Sequence, residues 1–126
     1  MPPKSFTLTE ESSPLAHLIA VGGELDVSTS PKLRTAIAQA QAAGHERIVV
    51  DLSETEFVDS TGLSTLLVAL RRITRADGRL ALVCPPGPAF RALKLTRLIE
   101  TFPMFVSREA AWSSLALDVD PSLAAA

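Results

Sequence analysis

One cysteine in 126 residues leaves Cys84 with no intramolecular partner, so an internal disulfide framework is excluded. Two histidines beside that cysteine make a poor stock of ligands for a zinc site. Both scarcities fit a reducing cytoplasm, and no metal or other cofactor is expected. There is no basic surplus either. The formal net charge is −2 and the pI is near 5.6, which gives no electrostatic ground for a nucleic-acid partner, because phosphate binding needs a basic face that releases counterions. No stretch approaches the ~20 apolar residues of a membrane span. Met1 to Glu11 carry Lys4 but no apolar run of signal-peptide length. Aromatic residues make up only 5%, so the core must be built from Leu, Val, Ile and Ala. The 47% hydrophobic and 21% charged residues exclude disorder throughout. The chain reads as one soluble, cytosolic domain whose partner is a protein or a small molecule.

What is present is an alternation of strand and helix signals. Phe6 to Thr9 alternates apolar and polar as a short edge strand does, and Glu10 to Pro14 reads as a turn. Leu15 to Val21 predicts a strand that enters a loop at Gly22-Gly23-Glu24-Leu25-Asp26. Ser28, Thr29 and Ser30 offer capping hydroxyls, and Pro31 suits a first helical turn because it has no N–H to lose. Leu33, Ala36, Ile37 and Ala40 then mark one face of a helix that Gly44 stops.

Arg47 to Leu52 is β-branched and apolar without alternation, the pattern of a strand covered on both faces and the best candidate for the central one. A polar loop, Ser53 to Glu56, leads to Phe57-Val58-Asp59-Ser60-Thr61-Gly62-Leu63. From there Leu63, Leu66, Leu67, Leu70, Ile73 and Thr74 mark a helix ending near Gly78. Arg79 to Cys84 repeats the buried-strand pattern, and Pro85-Pro86-Gly87-Pro88 breaks it before a helix carrying Phe90, Leu93 and Leu95. A last unit pairs a short strand, Met104 to Val106, with a helix over Ser107 to Leu117, where Glu109 is read at capping-box distance from Val106 or Ser107. Such alternation requires crossover connections, which build an α/β layer on a largely parallel sheet, with the two opening strands adding an antiparallel edge.

Catalysis finds little support. His17 lies in an apolar run and His45 beside a glycine turn, and nothing pairs either with Ser60 as nucleophile. Gly22-Gly23 lacks the lysine or third glycine of a phosphate-binding loop. Nothing basic flanks Cys84, which reads as a core residue. Asp26 and Asp51, single acids at strand ends, suit turns better than acid-base work. Asp59, Ser60 and Thr61 are all favoured at helix N-caps. Opposite the apolar stripe of that helix lie Thr61, Thr65, Val68 and Arg72, flanked by Ser64 and Arg75. Small side chains near Ser60, Gly62 among them, leave that face open to a partner.

Gly23-Glu24-Leu25-Asp26 with Thr29 and Leu33, then Val50-Asp51-Leu52-Ser53 with Phe57 to Leu63, then Arg79 to Val83 before a proline-rich turn, together resemble the bacterial anti-sigma factor antagonists, the stand-alone form of the STAS domain. The resemblance covers about residues 5–117; the chain is read as one domain over residues 1–117, with residues 118–126 as a disordered tail. The resemblance implies a mixed, mainly parallel sheet of about four or five strands with about four helices packed on one side. It further implies a non-enzymatic regulator of transcription that works by partner switching. Its unphosphorylated form binds an anti-sigma factor that is a serine/threonine kinase and frees the sigma factor; phosphorylation of Ser60 abolishes that binding, and a phosphoserine phosphatase resets the switch. The resemblance implies that Asp26 lies in the same partner surface as Ser60, and Glu24, Asp59, Thr61, Ser64, Val68 and Arg72 are further contact candidates, on a monomer or weak dimer. Two other readings are a phosphorylation-independent scaffold or transporter-associated STAS subunit, and a nucleotide-binding protein suggested by hydroxyls at a helix N-terminus.

Overall fold

The non-alternating apolar runs form the middle of a five-stranded sheet, because only a strand covered on both faces gains from apolar residues at every position. The computed structural model describes residues 5–119. Its elements are β1 (Thr7–Ser12), β2 (His17–Leu25), α1 (Ser30–Ala42), β3 (Arg47–Val58), α2 (Ser60–Arg75), β4 (Arg79–Val83), α3 (Pro88–Leu95), a 3-10 turn (Leu98–Glu100), β5 (Met104–Phe105) and α4 (Arg108–Val119). The strands lie in sequence order, β3 is central, and only β1 runs antiparallel to its neighbour. The mixed, mainly parallel α/β sheet is therefore as expected. No helix among the described residues is long and apolar enough to cross a membrane. Of the anticipated tail, residues 120–126 lie outside the described residues, and Asp118 and Val119 close α4.

The helices do not all pack on one side. Alternate residues of β3 face opposite ways. Ile48, Val50 and Leu52 join the core beneath α1, α2 and α3, while Val49 lies in a smaller cluster with Leu18, Ala81, Val83, Ala111 and Leu115. Ala111 and Leu115 belong to α4, so α4 covers the opposite face. A sheet apolar on both faces needs a cover on both.

Three segments read as turn or loop are strand. β1 continues through Ser12, with the turn moved to residues 13–16, where Ser13 N–H donates to Ala16 O at 3.0 Å. β2 continues through Gly22, Gly23 and Glu24, and β3 through Ser53 to Glu56, because the two pair with each other as far as Leu25 and Val58. Register shifts next to Gly22 and Gly23 absorb the irregularity, and Gly23 takes φ 81, a left-handed conformation that glycine adopts without strain. Buried Thr55 fits this extension because its hydroxyl donates to Val21 O at 2.8 Å.

Caps also differ. At α1 the Thr29 side chain makes no cap bond; its hydroxyl instead accepts from Asp26 N–H at 2.8 Å within the preceding loop. At α4 the Ser107 hydroxyl accepts from Ala110 N–H at 3.2 Å, which leaves Glu109 one position short of a reciprocal capping box. Leu95 is 85% exposed and takes no part in packing.

Candidate partner-binding surface

β2 and β3 end side by side, with Leu25 opposite Val58, and the chain leaves each of them into a helix. Asp59 ties the two exits together. Its N–H donates to Leu25 O at 3.1 Å. One carboxylate oxygen accepts from Gly62 N–H at 2.8 Å and caps α2; the other accepts from Val27 N–H at 3.2 Å in the β2–α1 loop. Close approach is possible only because residue 62 is glycine: a Cβ there would stand 2.6 Å from Leu25 O.

Asp26 orders the neighbouring loop. One of its carboxylate oxygens accepts from the Ser28 hydroxyl at 2.8 Å, Ser28 N–H at 3.0 Å and Thr29 N–H at 3.1 Å. The Ser28 hydroxyl foremost, joined by the Thr29 and Ser28 bonds against an opposing desolvation, holds this carboxyl below its ordinary pKa. Asp26 and Asp59 thus arrive at the surface with their charge already met by local N–H and O–H groups.

Ser60 is the first residue of α2 and is exposed, and its hydroxyl has no partner among the described residues. The capping task falls to Asp59 alone. Thr61 is half-buried and Ser64 exposed. Val68 and Arg72, also exposed, lie on the same helix ~12 and ~18 Å from Ser60 at 1.5 Å per residue. Glu24 is half-buried on β2 opposite Phe57 of β3. The structure therefore gathers Asp26, Asp59, Ser60 and Thr61 at the sheet's end, with Glu24 at the margin and Val68 and Arg72 further along α2. Thr65, assigned from the sequence to the open stripe, is buried against α1.

Two residues that sequence reasoning missed complete the surface. Val27 is 69% exposed and Phe57 49%, large apolar side chains flanking the Asp59–Ser60 turn. Val27 had a signal, an apolar residue set between Asp26 and Ser28 in an otherwise polar loop. Phe57 had none, because an aromatic residue beside Val58 at the entry to a helix reads as buried by default.

Among the described residues no base stands beside the serine. His17, the nearest to a candidate base, begins β2 at the far end of the sheet, ~26 Å from Leu25 at 3.3 Å per residue. Its ring nitrogens bond Glu10 at 2.8 Å and Ser12 at 2.7 Å, and its ring stacks on His45. Asp51 is buried, which pushes its carboxyl up, but bonds from Ser53 and from Arg108 Nε at 2.6 Å outweigh this and hold it below the ordinary value. Burial, with the Asp51 charge, pushes the Cys84 thiol up to about 11, so it stays protonated and inert.

This α/β domain presents an exposed hydroxyl, large apolar side chains and locally satisfied carboxylates together at one end of its sheet, the arrangement of a contact surface. Its family follows from comparison. The STAS domain model matches residues 8–111, and the chain belongs to that family. It is 30% identical over 103 residues to the anti-sigma-F factor antagonist RsfB of Mycobacterium tuberculosis, covering 82% of this chain and 84% of that protein. The crystal structure of an anti-sigma factor antagonist from Mycobacterium paratuberculosis superposes with a TM-score of 0.80 at 30% identity, over 88% of this chain and 94% of that one. The anti-sigma factor antagonist SpoIIAA in its unphosphorylated form gives a TM-score of 0.65 at 25% identity, over 85% and 93%.

Proposed function

We propose that this chain is an anti-sigma factor antagonist that works in the cytoplasm by partner switching, as a monomer or weak dimer. Unphosphorylated, it binds an anti-sigma factor serine/threonine kinase and so releases a sigma factor. The kinase phosphorylates Ser60, the complex parts, and a phosphoserine phosphatase restores the binding form. One observation carries this reading above the others: Ser60 is exposed and without a hydrogen-bond partner among the described residues, at the start of a helix already capped by Asp59. A serine with no capping duty at that place is free to be modified without cost to the fold. The names of the relatives support the antagonist role, and that of SpoIIAA in its unphosphorylated form refers to a protein with two such states.

The physics of the position fits a switch. A phosphate adds about −1.5 to −2 charge, which the free N–H groups and positive end of α2 tolerate. Across an interface the same charge must be stripped of water and placed against Val27, Phe57 and the partner. A penalty of ~3 kcal/mol weakens binding about 100-fold. Glu24, Asp26, Asp59, Thr61, Ser64, Val68 and Arg72 are the proposed contacts, joined by Val27 and Phe57.

Incubation with the anti-sigma kinase and ATP is expected to add one phosphate per chain, and none to Ser60→Ala. The phosphorylated chain is expected to lose binding to the kinase while keeping its melting temperature. Ser60→Ala phosphorylated to the same stoichiometry would reject the assignment. Capture of a transporter with no kinase binding would favour the scaffold reading.

A further inference from the structure

Arg34, Ile37, Thr65, Val68, Ala69 and Arg72 line a recess of about 20 Å³ between α1 and α2. At its floor Thr65 is 4% exposed, and its hydroxyl has no hydrogen-bond partner among the described residues. A buried hydroxyl without a partner forgoes most of a hydrogen bond, so native structures rarely leave one so unless an outside group completes it. On the rim stand two exposed guanidinium groups, Arg34 and Arg72, neither with an ion-pair or hydrogen-bond partner among the described residues. Val68 between them is 46% exposed.

These three features select one chemistry. The volume admits about one oxygen atom, since a water needs ~10–15 Å³ of such space. The arginine pair asks for an anion, and a guanidinium matches the planar two-oxygen face of a carboxylate. A carboxylate meets both demands with two oxygens, one for the Thr65 hydroxyl and one left for the guanidinium groups, and the same arginines would also accept a phosphate, which the test below separates. The flanking Val68 and the absence of aromatic side chains from the lining argue for a protein contact over a nucleic-acid one.

We propose that the α1–α2 recess is an acceptor for an acidic side chain, Asp or Glu, of the protein partner, which receives a hydrogen bond from Thr65 and is clamped by Arg34 and Arg72. The inference rests on the partner-binding role of this face given above, and deepens it. Thr61, Val68 and Arg72 form one stripe along α2 that begins beside Ser60, so the acceptor lies at the distal end of the same surface. A partner presenting acidic groups is drawn to the arginines and repelled by a phosphate on Ser60, which gives both ends of the surface one electrostatic logic.

The site is tested first without the partner, by titrating the nitrogen-labelled full chain with sodium acetate against sodium chloride at constant ionic strength. Saturable shifts of the Thr65 amide and of the Arg34 and Arg72 Nε–H signals are expected with acetate only, and their loss in Thr65→Val. Equal response to chloride, or a larger one to sodium phosphate or a single-stranded oligonucleotide, would overturn the carboxylate assignment. The second arm uses the kinase that modifies Ser60. Thr65→Val is isosteric and removes a buried unpaired hydroxyl, so its melting temperature should hold or rise. Its affinity for the kinase is expected to fall, and that of the Arg34→Ala/Arg72→Ala double variant about tenfold or more, with a flatter salt dependence. Wild-type affinity in both variants overturns the inference and leaves the Ser60 switch standing. Acetate shifts in a chain that binds no kinase support the acceptor and reject the switch.

Discussion

A single hydrogen atom in place of a methyl group decides how close α2 sits to the sheet. Helix propensity favours alanine over glycine at position 62 by ~1 kcal/mol, yet a Cβ there would stand 2.6 Å from Leu25 O, and 2.9 Å from Val58 Cγ1. The oxygen belongs to backbone that also accepts from Asp59 N–H, so it cannot withdraw without loosening the turn before Ser60. Overpacking costs ~1–3 kcal/mol and outweighs the propensity gain. Gly62→Ala is therefore expected to be less stable by about that amount, measured by urea unfolding; equal or greater stability would show that the helix start yields to the methyl group. Ser60 itself needs no such fit, and that difference separates the residue that builds the turn from the residue that uses it.

At the scale of the element, α2 depends on Asp59 for both its own first turn and its join to the β2–α1 loop. Asp59→Ala removes the acceptor of Gly62 N–H and of Val27 N–H, and loss of an N-cap costs ~0.5–2 kcal/mol. A loss of this size on thermal melting is expected, together with faster amide exchange at Val27, which a cap confined to α2 would leave unchanged. The start of α2 was legible in the sequence because Asp59, Ser60 and Thr61 are all capping residues, but which of them does the capping was not. Choosing among them needs the position of Leu25 O, set by a strand 34 residues away in sequence. The same limit explains β2 and β3. Gly22, Gly23 and Ser53 to Glu56 carry loop chemistry locally, and only their pairing across the sheet, eased by the bulges, keeps them extended. Helix faces with a strong apolar period, Leu33 to Ala40 and Leu63 to Ile73, were legible because that period is a property of the element alone. Thr65 was misplaced for the complementary reason, that its burial is imposed by α1.

The whole molecule has two unequal faces, a large core under three helices and a small one under α4, and the small one is pinned by a charge. Asp51 lies buried on the central strand, and Arg108 reaches it from the first turn of α4 across 57 residues of sequence. With its folded pKa below the ordinary ~3.9, ionised Asp51 lends stability that is fully present above that unfolded value. As pH falls through the still lower folded value the contribution is lost, because the proton that binds carboxylate in the unfolded chain must displace Ser53 and Arg108 in the folded one. The Arg108 side chain is 42% exposed, so solvent screens the pair and the effect belongs at the modest end, ~1–2 kcal/mol. Unfolding followed from neutral pH down through pH ~4 and below should therefore show a steeper loss of stability in the wild type than in Asp51→Asn. The variant should be the less stable of the two at neutral pH. Because the pair bridges only to α4, amide protection in α4 should fall with pH ahead of that in α1 and α2. Parallel acid profiles for the two proteins, or uniform loss of protection across all helices, would show that packing of Ala111 and Leu115 alone holds the second face closed.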